Sequence, residues 1–291
     1  MKVDLQIHTV ASSDSTLTIP GLFEGATAAG LAAVAITDHD TVDAIAAAAQ
    51  AAASSGVCLV PGVEVSTSFH QYMAHALVYS DTIDSLPIRE FLDVEVYQAK
   101  RQYTSTVIEA LASTGVPISL QAYDQEAERS GKGGSPLERA LLRAGVIATA
   151  RDFDSKIAPL IPPAIVRYNW APPLERCIAV AHECGAVAIL AHCQKGGPYG
   201  ELSESELDEI RRLGIDGLEA AHPDHSPSQQ RFLEDYAQRH GLLITGGSDC
   251  HGPGTNPLGM ASLEIPNRPL PPVIHLRNLL DNPPISGTKD N

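Results

Sequence analysis

The chain has 291 residues, enough for one large domain or two small ones with a full core, and a formal charge of −15. That charge argues against a nucleic-acid polymer as partner, because polyphosphate backbones need clustered Lys and Arg, but it leaves room for one small phosphate group. The five cysteines include no CxxC pair, which argues against a disulfide framework or a structural zinc site and fits a reducing cytoplasm, and no apolar run reaches the roughly 20 residues of a membrane helix.

Residues 2–7 read as a first strand, without a signal peptide ahead of it, and deliver His8. Residues 9–18 form a polar loop containing Asp14, and a helix runs from Pro20 to about Gly30. The apolar run 31–36 reads as a buried parallel strand; Thr37-Asp38-His39-Asp40 follows it directly, ahead of an Ala-rich helix over 41–55 that Gly56 ends. A third strand, 57–66, carries Glu64, and a fourth, 73–79, carries His75. The alternation then lapses. Residues 87–170 read as mostly helical (88–113, 120–129 and 136–143), with a glycine-rich link at 131–135 and a proline-rich apolar stretch at 157–170. A helix over 172–185 restores the pattern, with strand 186–190 before His192, strand 215–221 before His222 and strand 242–246 before Asp249 and His251; helices 203–213 and 226–240 lie between. The tail, rich in Pro and Asn, reads as irregular. Seven strands of this kind suggest a parallel barrel one strand short of the usual eight.

His8, Glu64, His75, His192, His222 and the pair Asp249/His251 each end or closely follow an apolar run, as does the Asp38-His39-Asp40 cluster. In α/β folds ligands bind beyond the carboxyl ends of the strands, so these residues share a site by position as well as by chemistry. Neutral imidazoles with bridging carboxylates suit Mn, Fe or Zn. Two such ions about 3.5–4 Å apart acidify a shared water and clamp phosphoryl oxygens during in-line displacement. A single His at a strand end is more often a packing residue; here the ordered set carries the reading. His70, His182, His240 and His275 fall outside it, and Cys193 and Cys250 read as small space-fillers.

Asp4-Leu5-Gln6-Ile7-His8-Thr9, Ser13-Asp14, Thr37-Asp38-His39-Asp40, Gly62-Val63-Glu64, Ala191-His192 and Gly247-Ser248-Asp249-Cys250-His251 together resemble the PHP family. The resemblance covers about 1–86 and 171–291. It implies a distorted seven-stranded (β/α)7 barrel, with 87–170 as a helical insertion over its mouth, and a metal-dependent phosphoesterase that uses a metal-activated hydroxide. The arrangement is similar to that of stand-alone phosphatases of 3′,5′-bisphosphorylated nucleosides. Carried over residue by residue, the family pattern implies two or three divalent ions. His8, Glu64 and Asp249 would hold one, with Gln6 where a histidine is usual. Glu64, His75 and His192 would hold a second, and Asp14, His39 and His251 a third. Asp38 and Asp40 would orient ligands or approach a metal-bound water. His222 or His225 would protonate the leaving oxygen. Lys132, Arg139, Arg167 and Lys195 are candidate substrate-binding cations over the mouth. The expected substrate is a small phosphorylated metabolite, foremost a nucleotide such as a 3′,5′-bisphosphate. A cyclic ribose phosphate, a histidinol-phosphate-like ester, amide or lactone hydrolysis, and a non-catalytic metal-binding role suggested by Gln6 are the rivals. Ser15 stands where the family has glycine, Cys193 where it has proline, and Gly134-Ser135-Pro136 near a frequent Arg-Pro-His.

Overall fold

Strand order follows chain order around most of the sheet. The structure, a computed structural model, describes residues 1–149 and 152–280; the end of the tail (281–291), read above as irregular, and residues 150 and 151 of the insertion lie outside the described residues. The order is β7-β6-β5-β4-β3-β2-β1-β8. These strands are β1 (Lys2–Asp4), β2 (Leu31–Ile36), β3 (Cys58–Phe69), β4 (Tyr72–Tyr79), β5 (Val187–Leu190), β6 (Gly217–Ala221), β7 (Leu243–Gly246) and β8 (Leu263–Glu264). Just past β1 and β7 the backbone continues the ladder. Leu5 N donates to Gly246 O (3.1 Å), Asp249 N to Gln6 O (3.0 Å) and His8 N to Cys250 O (2.9 Å), which draws the two sides together as a barrel.

Two features depart from the parallel barrel read from the sequence. The β3–β4 and β4–β5 pairs are antiparallel. The first is unavoidable, because only two residues, His70 and Gln71, link β3 to β4, and a parallel pair needs a crossover of a dozen residues or more. The second departure is β8, which pairs antiparallel with β1 inside the tail.

Period-two alternation builds the interior. In β2, Ala33 and Ala35 face the barrel axis while Val34 and Ile36 face the surrounding helices. Tyr79 fills the axis because Gly62 opposite has no Cβ; one there would meet the ring at 2.8 Å. The Tyr79 hydroxyl donates to Leu5 O at 2.6 Å. With Leu5, Val60, Leu77 and Ile189 packed around it, the axis is closed to solvent, and polar side chains collect at the carboxyl end.

Helices α1 (Ile19–Ala28) and α2 (Ile45–Ser55) cover the first strands. Between β4 and β5 come α3 (Leu86–Glu90), a run of wide π-type turns (Phe91–Val96), α4 (Tyr97–Ser113), α5 (Leu120–Ser130), α6 (Pro136–Arg143) and α7 (Leu174–Glu183). Helices α8 (Glu204–Leu213) and α9 (Pro227–His240) each open on a capping box, Ser203 with Glu206 and Ser226 with Gln229. Helix α10 (Leu276–Leu280) adds Leu276 and Leu279 to the axial core. Helices α4 to α6 share a core of their own around Val107, Leu111, Tyr123 and Leu141. Hydrogen bonds from the 131–135 link fasten them to the barrel mouth. Gly134 N donates to His39 O (2.8 Å) and Ser135 N to Ser13 Oγ (2.5 Å). Only glycine serves at position 134, where φ is 60° and a Cβ would stand 2.4 Å from Ser13 N. Among the described residues, no helix is long and apolar enough to cross a membrane.

Candidate metal centre

Glu64 sits at the meeting point of four imidazoles. Backbone pairing places it there: Asp40 N donates to Glu64 O (2.9 Å) and Glu64 N to Asp38 O (3.2 Å), which sets His39 beside the Glu64 carboxylate. Glu64 Oε2 lies 3.0 Å from His8 Nε2 and 3.8 Å from His39 Nδ1. Glu64 Oε1 lies 2.6 Å from His75 Nδ1 and 2.9 Å from His192 Nε2. Asp249 Oδ1 is 3.2 Å from His8 Nε2, and Asp14 Oδ2 is 3.5 Å from His39 Nε2 and 3.4 Å from His251 Nε2. The rings form a continuous set, with His8 stacked on His251 at 4.1 Å and tilted against His39 at 4.4 Å. Three triads, His8–His39–His251, His39–Glu64–His75 and His8–Glu64–Asp249, each bring their ligand atoms within 4.8 Å of one another.

This donor set fits divalent metal ions. His8 Nε2 is buried and lies at hydrogen-bond distance from two carboxylates, yet it makes no directed hydrogen bond to either. Gln6 Oε1 is buried and unpartnered as well, while Gln6 Nε2 donates to Glu64 Oε2 at 3.0 Å. Burial pushes His39 and His192 down to about 4, which keeps both imidazoles neutral with a lone pair to give. Burial alone would raise Glu64, but His39, His75 and His192 around it hold the carboxyl well below its ordinary value. Burial would lower His8 as well, but Asp249 and Glu64 push it the other way, well above its ordinary value, so a metal ion bound there would displace a proton from that imidazole.

Strained backbone and buried partners hold this arrangement. Asp40, His192 and Asp249 have φ of 54°, 29° and 51°, a region that side chains other than glycine rarely occupy. Both oxygens of Asp38 are taken, by Thr9 N (2.6 Å), Thr9 Oγ1 (2.7 Å) and Ser12 Oγ (3.0 Å). Asp40 accepts from Ser66 N (2.7 Å), Ser66 Oγ (2.9 Å) and Lys100 Nζ (2.5 Å). These partners fit the orienting role read for the two aspartates, because each of their oxygens already accepts at least one hydrogen bond. Burial would raise Asp40, but the Lys100 ammonium beside it keeps its carboxyl below the usual range. Glu219, fully buried on β6, accepts the backbone N–H of His192 at 2.9 Å and so positions that ligand.

The two histidines read as proton donors separate. His225 spends both nitrogens internally, with Nδ1 2.9 Å from Ala220 O and Nε2 accepting from Gln194 N. With both nitrogens engaged, His225 has none turned to the cluster in this arrangement. His222 Nδ1 accepts from Asp224 N (3.1 Å), so its neutral ring carries the proton on Nε2, which faces Asp249 Oδ2 at 3.4 Å.

The four cations separate too. Lys195 Nζ lies 3.5 Å from Asp249 and 3.1 Å from Asp224, at the edge of the cluster. Arg139 donates to the carbonyls of Gly131 and Gly133 and shapes that loop instead of facing the mouth. Lys132 pairs with Asp93 and covers Tyr97 in a separate cleft. Arg167 is exposed on the far side of Tyr103 and Trp170. Sequence reading missed Lys100, Glu219 and Ser12. Lys100 alone left a signal, since it shares the buried stripe of α4 with Thr104, Val107, Ile108 and Leu111.

Gln6→His is expected to raise metal occupancy at the His8–Glu64–Asp249 position, because imidazole replaces an amide already committed to Glu64. Calorimetric titration of Mn into metal-stripped wild type and variant checks this; superimposable isotherms would place residue 6 outside the ligand set.

The PHP domain model matches residues 4–129. The chain is 30% identical over 253 residues to the 5′-3′ exoribonuclease Rnm of Salmonella typhimurium, covering 86% of this chain and 85% of that one. It is 27% identical to the 3′,5′-nucleoside bisphosphate phosphatase of Chromobacterium violaceum, over 87% of this chain and 88% of the relative. Among solved structures, a protein of Bifidobacterium adolescentis described as a metal-dependent phosphoesterase superposes with a TM-score of 0.72 at 30% identity, over 88% of this chain and 90% of the other.

Proposed function

Since this chain belongs to the PHP family of metal-dependent phosphoesterases, we propose that it hydrolyses the phosphate ester of a small nucleotide at the Glu64 cluster. The observation that carries this reading is the single buried carboxylate touched by His8, His39, His75 and His192. A nucleotide is the chemistry common to the names of the two sequence relatives, and the 3′,5′-bisphosphate belongs to the class. A small substrate is preferred over a polymer because of the charge of −15 and because Lys100, the one described Lys or Arg lining the cleft beside the cluster, is already paired with Asp40.

His8, Glu64 and Asp249 would hold one divalent ion, Glu64, His75 and His192 a second, and Asp14, His39 and His251 a third, drawn from Mn, Fe or Zn. Bound ions supply an acidified water as nucleophile and neutralise the phosphoryl oxygens. The chain's own residues do the rest. Lys195, next to Asp249, is placed to meet a phosphoryl oxygen. His222 turns the N–H of Nε2 toward the cluster, where it can donate a hydrogen bond to the leaving oxygen. Asp38 and Asp40 fix the loop that carries His39.

Phosphate release from a panel tests the reading. The panel holds nucleoside monophosphates, a 3′,5′-bisphosphate, a cyclic ribose phosphate, histidinol phosphate and a 5′-phosphorylated oligoribonucleotide. Metal-loaded protein is expected to turn over small nucleotides with kcat/KM at least about tenfold above the oligomer and the non-nucleotide esters. Tight metal binding with no release from any ester would leave a non-catalytic metal-binding protein.

A further inference from the structure

A cleft of about 340 Å³ opens directly from the cluster, with Asp14, His39 and His75 on one wall. The facing wall is aromatic and aliphatic, built from Met73, Tyr103, Val107, Leu137, Phe153 and Trp170. The Tyr103 and Trp170 rings lie parallel, 2° apart in plane with centroids at 5.9 Å, so they form a rigid half-buried platform. A planar base stacks on such a surface whatever its sequence identity.

The charges in this cleft are unusual for a site that handles phosphate. Among the described residues, Lys100 is the one Lys or Arg lining it, and its ammonium is committed to Asp40 and to Gly134 O (2.7 Å). Arg139, the next cation along α6, turns back to Gly131 and Gly133. The charged side chain that α6 presents to the cleft is Glu138. Burial, with Asp14 and Asp154 close by, pushes the Glu138 carboxyl up to about 7, as expected of a wall short of positive charge.

We infer that this cleft receives the uncharged planar part of a nucleoside monophosphate, and that Glu138 is a specificity-determining residue that excludes a second phosphate. This rests on the nucleotide phosphoesterase reading above and narrows it. One phosphate sits on the cluster, where metal ions balance it. A second phosphate on the same ribose enters the cleft beyond the ligand set and meets Glu138, while Lys100, the one described Lys or Arg on the lining, is already committed to Asp40 and Gly134 O. Above about pH 7, where the assay is run, the Glu138 carboxyl is ionised, and charge repulsion across a half-buried cleft is screened far less than at the surface.

Steady-state phosphate release from adenosine monophosphates and from adenosine 3′,5′-bisphosphate tests this in wild type and Glu138→Gln. Wild type is expected to favour the better monophosphate over the bisphosphate at least tenfold in kcat/KM. Glu138→Gln is expected to narrow that ratio at least fivefold, through a lower KM for the bisphosphate. A wild type that prefers the bisphosphate overturns the inference, as does a Glu138→Gln enzyme that shifts both esters alike. Either result leaves the phosphoesterase reading standing. Release from no phosphate ester at all overturns that reading, and this inference with it.

Discussion

Glu64→Ala is expected to lower kcat/KM for phosphate release by at least roughly 10³-fold, beyond the 10–100-fold that loss of an outer partner of a metal ligand costs. The carboxylate reaches His8 and His39 through one oxygen and His75 and His192 through the other. The neighbouring acids do not take its place: Asp38 and Asp40 are bound elsewhere, Asp14 meets His39 and His251, and among the imidazoles Asp249 meets His8, His222 and His251. The backbone of β3 keeps its ladder in the variant, so far-UV circular dichroism is expected to stay native while activity falls. Near-wild-type turnover would show that the chemistry lies elsewhere.

Lys100→Ala is expected to damage both fold and activity from a residue outside the ligand set. Its ammonium is the counter-charge to buried Asp40, and it also binds Gly134 O in the link that fastens the helices to the barrel mouth. Removing one member of a buried pair leaves the other charged and uncompensated, at a cost of about 3 kcal/mol. Urea unfolding measures that loss, and a parallel fall in activity is expected because Asp40 fixes the loop bearing His39. The sign with pH follows from the lowered Asp40 carboxyl: the pair's contribution is complete above the ordinary aspartate pKa of about 4 and fades as pH falls through the lower folded value. Wild type and variant are therefore expected to converge in stability at strongly acid pH. A constant gap from neutral to acid pH would show that Lys100 stabilises by packing alone.

Much of the site was legible because each ligand follows an apolar run of its own. Strand ends converge in a barrel, so His8, Glu64, His75, His192 and Asp249 meet although spread over the whole chain. What escaped was pairwise. Strand direction depends on the length of the link between strands: the six residues between strands 57–66 and 73–79 were already too few for a parallel crossover, and β3 running on to Phe69 leaves two. Strand β8 is too short for period two to register, and it exists because the edge of β1 was open. The loop cations differ for the same reason. Lys195 and Arg139 look alike in sequence, but one reaches Asp249 while the other finds two carbonyls within its own turn. Lys100 was hidden by the rule that lysines are solvated, which an ion pair across two segments, 60 residues apart, overrides.

Phosphate release measured while Mn is titrated into metal-stripped protein, with bound metal counted by elemental analysis on the same samples, bears most directly on the Glu64 cluster. Stripped wild type should be inactive and should regain nucleotide hydrolysis as two or three ions bind per chain, whereas Glu64→Ala should bind fewer ions and regain almost nothing. Full activity in the stripped protein, or full metal content and activity in Glu64→Ala, would contradict a metal-dependent phosphoesterase built on that carboxylate.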